Sequence, residues 1–132
     1  MEPIKNVDKV WGHEEWIVNN NLYCGKRLCL KKGKRCSLHY HKNKDETFYI
    51  LKGTVLMEIL TPNKIENKTF YYPELKIMKE GDRQHIIPEM QHRFSGLEDS
   101  VIIEFSTHHE DSDSYRIEKG GDVPKEVMEY YK

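Results

Sequence analysis

Residues 33 to 53 read GKRCSLHYHKNKDETFYILKG, a run in which two histidines precede a glutamate that opens an apolar segment. Strand side chains alternate between faces, so His39 and His41 would project from one face, about 6.5 to 7 Å apart. The polar KNKD can reverse the chain. The same alternation puts Glu46 on one face with the apolar residues two and four positions after it. Burying a carboxylate there costs free energy unless it is paired or bound to a metal. The stretch therefore predicts two strands that carry candidate metal ligands.

The rest of the chain repeats this strand-like rhythm. Short runs rich in Val, Ile, Leu, Tyr and Phe alternate with clusters of Gly, Pro, Asn and Lys, which is typical of strands and turns. No interval carries a convincing helical repeat, so the sequence predicts an all-β barrel or sandwich. Residues 61–69 are expected to be a solvated loop between two hairpins. Only the end of the chain, with Asp122 as a candidate N-cap ahead of Pro124, predicts a short C-terminal helix.

Composition narrows the classes of partner. The chain has 132 residues, a length that suits one domain over 1–132. Its 21 basic and 22 acidic side chains nearly cancel, so no net field would attract nucleic acid or an anionic membrane. We expect a small-molecule ligand. With no apolar run of about 18 residues and no charged-then-apolar leader, we expect a soluble, cytoplasmic protein. Cys24, Cys29 and Cys36 lack CxxC spacing, so we expect reduced cysteines rather than disulfides or a cysteine zinc site.

A later segment, GDRQHIIPEMQHRFSG at 81–96, offers a further ligand. Either His85 or His92 could complete a set of three imidazoles and one carboxylate, although His85 alone is better explained as a strand-surface residue. Such a set suits one divalent transition metal ion, Zn, Mn, Ni, Co or Fe, rather than Mg or Ca. His108 and His109 are adjacent and would point to opposite faces of a strand, so we expect them in a surface loop.

The spacing of these residues resembles the two-part signature of the cupin superfamily. The first block has two glycines, two histidines and a glutamate at fixed intervals, and the second runs from Gly81 to His92. The resemblance covers about residues 24 to 106 and implies a single antiparallel jelly-roll barrel with a site inside its mouth. It also implies one set of metal ligands, namely His39, His41, Glu46 and His92.

Three other segments resemble the cupin domains of sugar isomerases. KVWGHEEW at 9–16 and IEFSTHHEDSDSYRIEKG at 103–120 resemble the cupin domain of bifunctional phosphomannose isomerases. YCGKRLCLKKG at 23–33 resembles both these domains and the small lyxose isomerases. The resemblance implies substrate-binding roles for Lys26 and Arg116 and an activity on a sugar or sugar phosphate.

The expected chemistry is metal-assisted enolisation, in which a proton moves between C1 and C2 of an open-chain aldose. Glu104 shares the predicted inward parity of its strand and is the leading candidate for the proton carrier. Lys26 would orient the substrate, unless it simply pairs with Glu104. Two other classes stay open, an Fe(II)-dependent dioxygenase and a non-catalytic cupin that binds a small metabolite.

The outer surface predicts self-association. A short open barrel has strand edges and apolar outer faces that must be covered. Tyr49, Leu51 and Val55 would lie opposite the metal-facing side, so we expect a homodimer. Trp11 and Trp16 are expected to anchor the N-terminal segment against the barrel.

Overall fold

The structure, a computed structural model that describes residues 2–132, is built almost entirely from β-strands. The strands are β1 (Lys5–Lys9), β2 (Gly12–Asn19), β3 (Cys24–Leu30), β4 (Lys34–Arg35), β5 (Leu38–Tyr40), β6 (Glu46–Lys52), β7 (Thr54–Ile65), β8 (Lys68–Lys79), β9 (Arg83–Ile86), β10 (Gln91–Gly96), β11 (Ser100–Ser106), β12 (Tyr115–Glu118) and β13 (Gly121–Asp122). A 3-10 turn covers Asp111–Asp113, and one helix, α1, covers Lys125–Tyr130. The predicted all-β class and short C-terminal helix are confirmed.

The strands form two antiparallel sheets that pack as a jelly roll. The first sheet has the order β1-β2-β3-β11-β6-β9. In the second, β10 pairs with β7 along one edge and with β5 and β4 along the other, and β8, β12 and β13 extend it outward. Some neighbouring strands come from distant parts of the chain, such as β11 between β3 and β6 and β10 beside β5, so residues from both sequence blocks meet between the sheets.

Side chains alternate across the first sheet as the sequence predicts. In β3, Lys26 and Leu28 are buried, while Arg27 between them is exposed. Glu46 and Glu104 likewise point inward from β6 and β11. The core between the sheets consists of Trp11, Leu28, Leu30, Cys36, Phe48, Ile50, Val55, Met57, Ile59, Met78, Ile86, Met90, Phe94 and Ile102. An inward ionisable group in this sheet therefore lies beside an apolar core, where leaving it without a partner would be costly.

The N-terminal segment packs onto this core as expected. Trp11 is buried and meets Phe94 edge to face, with ring centroids 5.2 Å apart. Trp16 lies over the Lys26 ammonium, 4.2 Å from Nζ to the ring centroid, and its indole nitrogen donates to Glu14. Both tryptophans thus anchor β1 and β2 against the rest of the molecule.

Two local predictions are wrong. Residues 61–69 do not form a loop, because β7 and β8 pair continuously from Thr54↔Lys79 to Ile65↔Lys68 and turn only at Glu66 and Asn67, both at positive φ. Asp122 does not cap α1. It ends β13 and pairs with Lys34, and the N-cap position is Pro124.

The outer surface differs from the prediction at one position. Tyr49 and Leu51 are exposed as expected, but Val55 is fully buried because it faces the core from the start of β7. Cys24 and Cys36 are buried free thiols, and Cys29 is half-buried. Between residues 2 and 132, no helix has the length and apolar character that crossing a bilayer requires.

Candidate metal centre

Two paired strands bring three histidines to one point. His39 in β5 is the cross-strand partner of His92 in β10, and His41 follows β5 two residues after His39, on the same face. One ligand nitrogen from each ring lies within 4.8 Å of the other two. His92 is fully buried and His41 nearly so. The structure thus brings together the three histidines that the cupin resemblance implies as ligands.

Main-chain hydrogen bonds fix the orientation of all three rings. Each Nδ1 donates to a main-chain carbonyl, which can only accept. The acceptors are Ser37 for His39 (2.8 Å), Asp113 for His41 (2.9 Å) and Met90 for His92 (3.1 Å). With the proton held on Nδ1, each Nε2 keeps a free lone pair, as ligating histidines require.

Glu46 completes the set from β6. Its Oε2 lies 3.3 Å from His41 Nε2 and 3.5 Å from His92 Nε2. Glu46 Oε2 and His92 Nε2 are both buried without a hydrogen-bond partner in the described part of the chain. Buried polar atoms are rarely left unsatisfied, and a cation at their common focus would satisfy both. The four predicted ligands therefore fit a transition metal ion by donor chemistry, and the three histidines also fit it by geometry.

The protonation states suit the same role. Burial lowers the pKa of His39, His41 and His92 to about 3, so the three imidazoles are neutral at pH 7. Burial, with the charge of Glu104 nearby, raises the pKa of Glu46. Neutral imidazole is the form that ligates a metal, while a carboxylate ligand must first lose its proton.

The candidate metal centre lies at a cavity of about 370 Å³ between the two sheets, a volume suited to a small organic ligand. Glu104 and Lys44 line it beside His39, His41 and Glu46. Arg116 and Lys119 line it too, and both are exposed. The cavity thus combines a buried charged interior with cationic side chains in reach of solvent.

Glu104 is held by an ion pair inside this cavity. Lys44 Nζ lies 2.6 Å from Glu104 Oε2, and Ser106 Oγ donates to the same carboxylate at 2.9 Å. Burial alone would raise the pKa of Glu104, but the Lys44 and Lys26 ammonium groups and the Ser106 hydroxyl lower it below its usual value. Glu104 is therefore ionised at neutral pH, with Lys44 as its direct partner.

Lys26 takes a different position from the one expected. Its Nζ lies 3.4 Å from Glu14 Oε1 beneath the Trp16 ring, and the side chain is fully buried. Lys26 neither lines the cavity nor pairs directly with Glu104, although the two residues are cross-strand partners. Arg116, opposite His39 in the β12–β5 pair, does line the cavity.

Sequence reasoning missed Lys44, His109 and Asp113. Lys44 was part of a turn tetrapeptide, but it is buried and donates to His109 Nδ1 at 2.8 Å. The sequence indicates no role for Asp113, but its carboxylate accepts hydrogen bonds from the main-chain N–H groups of residues 42, 43 and 44. The one available signal was that Lys44 shares the parity of Glu46, two residues later.

The remaining histidines are only partly as predicted. His85 is exposed and pairs with Asp45 at 2.6 Å, which confirms its surface position. His108 is half-buried at the surface, where it contacts Glu110. The surface prediction is wrong for His109, whose side chain is 10% exposed, lines the cavity and meets Trp16 edge to face.

Comparison with curated proteins finds a relative that is longer than this chain. A mannose-1-phosphate guanylyltransferase from Sinorhizobium fredii (strain NBRC 101917 / NGR234) is 27% identical over 114 residues, which is 80% of this chain and 22% of that protein. The chain thus spans about a fifth of the length of this curated relative.

Solved structures share the fold at low identity. The capsular polysaccharide assembling protein CapF from Staphylococcus aureus matches with a TM-score of 0.72 at 16% identity, over 89% of this chain and 32% of that one. KdgF from Halomonas sp. matches with a TM-score of 0.60 at 17% identity, over 76% of this chain and 81% of that one. The oxalate decarboxylase from Bacillus subtilis matches with a TM-score of 0.67 at 18% identity, over 96% of this chain and 34% of that one.

A family model settles the relationship that the spacing of the histidines and glycines indicates. The cupin model matches residues 5–115, which include both sequence blocks, the three-histidine cluster and Glu46. The protein belongs to the cupin family.

Proposed function

We propose that this cupin is a metal-dependent isomerase that interconverts an aldose and a ketose, either free or phosphorylated, by enolisation. The observation that carries the proposal is the buried Glu104–Lys44 pair, which lines the same cavity as three of the four candidate ligands, His39, His41 and Glu46. Enolisation needs a positioned proton carrier beside a site that stabilises an oxyanion, and this cavity offers candidates for both.

In this proposal His39, His41, His92 and Glu46 hold one divalent transition metal ion, of Zn, Mn, Ni, Co or Fe. When bound, the ion supplies Lewis-acid polarisation of neighbouring sugar oxygens and offsets the charge of the enediolate. The protein's own contribution at this point is a fixed ligand set, since each imidazole is oriented by a main-chain carbonyl.

Glu104 then moves the proton. Its carboxylate takes the proton from C2 of the open-chain aldose, the electron pair of that C–H bond forms the C1=C2 double bond of the enediolate, and the π pair of the C1=O bond moves onto O1. Glu104 returns the proton to C1 while the O2 hydroxyl proton is transferred to O1, which yields the ketose. Lys44, at 2.6 Å, keeps Glu104 ionised before the transfer.

Two further residues have proposed supporting roles. Lys26 is buried outside the cavity lining, so it would act through charge, by keeping Glu104 ionised rather than by touching the sugar. Arg116, exposed and lining the cavity, would bind the distal part of the substrate and suits a phosphate group by its planar donors. The sugar phosphate in the name of the Sinorhizobium relative supports a phosphorylated substrate.

The test follows the exchange of the C2 proton. Wild-type protein loaded with each metal in turn is incubated in deuterated water with a panel of aldoses, ketoses and their phosphates, and deuterium at C1 and C2 is measured by NMR. We expect Glu104→Gln to slow exchange by about 100-fold or more, the usual contribution of a positioned base, and to retain the metal. The exposed Glu129→Gln is the matched control and should exchange at the wild-type rate.

Two results of this experiment would contradict the proposed isomerase activity. Wild-type protein that exchanges no substrate proton across the panel, or a Glu104→Gln variant as active as wild type, contradicts the proposal. Circular dichroism and metal content of the variant establish that it is folded and loaded, so that lost exchange reports on the proton transfer itself.

One observation favours a second candidate, a non-catalytic cupin that binds a small sugar. The Lys44 and Ser106 contacts lower the pKa of Glu104, which makes it a weaker base and would also suit fixed recognition of a hydroxyl group. Under that function Glu104→Gln would alter ligand affinity and no exchange would occur in the wild type. Oxygen consumption with iron but not with zinc would instead identify a dioxygenase.

A further inference from the structure

A second group of ligand-type side chains lies on the outer face of the first sheet. His13 and Glu15 are two residues apart in β2, and Cys29 in β3 is the cross-strand partner of His13. Glu15 Oε2 lies 3.0 Å from His13 Nε2 and accepts a hydrogen bond from Cys29 Sγ at 3.5 Å. One ligand atom from each residue lies within 4.8 Å of the other two.

This arrangement has the same strand geometry as the inner histidine cluster. There, His39 and His41 are two residues apart and His92 is the cross-strand partner of His39. In both places two side chains lie two residues apart in one segment, and a third side chain, directly opposite one of them on the neighbouring strand, points to the same face. The outer group differs in its donors, which are one imidazole, one carboxylate and one thiol.

We propose that His13, Glu15 and Cys29 form a second metal site, for a borderline or soft divalent ion such as Zn²⁺ or Co²⁺. A nitrogen, an oxygen and a sulfur ligand suit a tetrahedral ion whose fourth position is open to water. The thiolate favours these ions over Mg²⁺ and Ca²⁺. As the metal–sulfur bond forms, the thiol proton now donated to Glu15 leaves to solvent.

The surroundings leave the site accessible. The side chains of His13 and Glu15 are 42% and 28% exposed, so an ion can reach them without unfolding of the sheet. Arg27 Nε lies 4.0 Å from Glu15 Oε2 and competes with a cation for that carboxylate. Because Arg27 is itself 46% exposed, it can turn toward solvent when an ion binds. Arg27→Gln should therefore tighten metal binding at this site.

Cobalt distinguishes the two sites, because only this one contains sulfur. The reduced, metal-free protein is titrated with Co²⁺, and both bound metal and the near-ultraviolet thiolate-to-cobalt charge-transfer band are followed. We expect the wild type to show the band. The Cys29→Ser variant should lose the band and bind one equivalent of cobalt less than the wild type. The proposed inner site contributes no thiolate ligand, so its success or failure does not alter the band.

The other two cysteines provide matched controls. Cys24→Ser and Cys36→Ser should keep the band, and the control at Cys36 matters because that thiol lines the inner cavity. His13→Gln, at a partly exposed position that the fold tolerates, should weaken cobalt binding by at least about tenfold, the usual cost of changing a group that supports a metal. Absence of the band from wild type, or its survival in Cys29→Ser, overturns the proposal.

Discussion

The proton on Glu46 controls how the inner site depends on pH. Burial and the Glu104 charge raise the pKa of Glu46 in the protein without metal, while the three histidines stay neutral down to a pH of about 3. At a pH below the raised pKa of Glu46, a metal that binds must therefore displace one proton from Glu46 and none from the imidazoles. We predict that affinity is constant above that pKa and falls by about tenfold per pH unit below it.

Calorimetry in buffers of different ionisation enthalpy measures this proton directly. Close to one proton should be released per ion bound below the pKa of Glu46. Glu46→Gln should bind metal more weakly and without that proton release. Release of two or three protons would mean that histidines are charged in the metal-free protein, contrary to their burial.

The alternation of side chains between the faces of a strand predicts part of this site but not the rest. The alternation of side chains within one short stretch predicts that His39, His41 and Glu46 are candidate ligands, because that information lies in the local sequence. Lys44 was missed because its partners, Glu104 and His109, are about 60 residues away along the chain. Only the pairing of β6 with β11 brings Glu46 and Ser106 into register and so places Glu104 within reach of Lys44.

At the scale of elements, two glycines of the cupin signature have different structural reasons. Gly53 connects β6 to β7 at φ +92°, and a Cβ there would lie 2.2 Å from Ser100 Oγ and 2.5 Å from the Asp99 carbonyl oxygen. Gly33 has φ +79°, but an added Cβ would meet nothing within 4 Å. Gly33 is thus required for its backbone angle, and Gly53 for both its angle and its space.

We predict that Gly33→Ala lowers the free energy of unfolding by about 1 kcal/mol, the cost of a positive φ. Gly53→Ala should cost roughly 1 to 3 kcal/mol more, because the strand connection must move away from residues 99 and 100. Urea denaturation of both variants measures the difference. Equal losses would mean that the β6–β7 connection is loose enough to accept the added methyl group.

The long β7–β8 hairpin shows why loop prediction failed for residues 61–69. Pro62, Asn63 and the lysines have turn-like composition, but β8 pairs with this part of β7 residue by residue. Pairing along an existing ladder outweighs weak local preference. The chain reverses instead at Glu66 and Asn67, where two successive positive φ angles form the tight turn that suits a twisted hairpin.

At the scale of the whole molecule, the outer face of the first sheet remains uncovered. Tyr49 and Leu51 in β6 and Phe105 in β11 are 36%, 48% and 59% exposed. We predict a homodimer that buries the β6–β11 part of this face and leaves β2 and β3 open to solvent, since adjacent apolar side chains on a sheet surface favour association. Light scattering at micromolar concentration should give twice the chain mass for wild type and the chain mass for Leu51→Lys.

Leu75→Lys serves as the matched control, because Leu75 is equally apolar and 59% exposed but lies in β8 of the second sheet. It should remain dimeric. A monomeric wild type would contradict the prediction, and dissociation by Leu75→Lys but not by Leu51→Lys would place the interface on the other sheet.

The hydrogen bond from His41 to the carbonyl of Asp113 spans 72 residues of chain. During translation at roughly 5 to 20 residues per second, Asp113 is added about 4 to 14 seconds after His41. Until then the imidazole lacks the acceptor that fixes its tautomer, and residues 42–44 lack the carboxylate that holds their turn. On the ribosome the candidate ligands are therefore not yet assembled, and we expect a metal to bind only after Asp113 has been added and has reached His41.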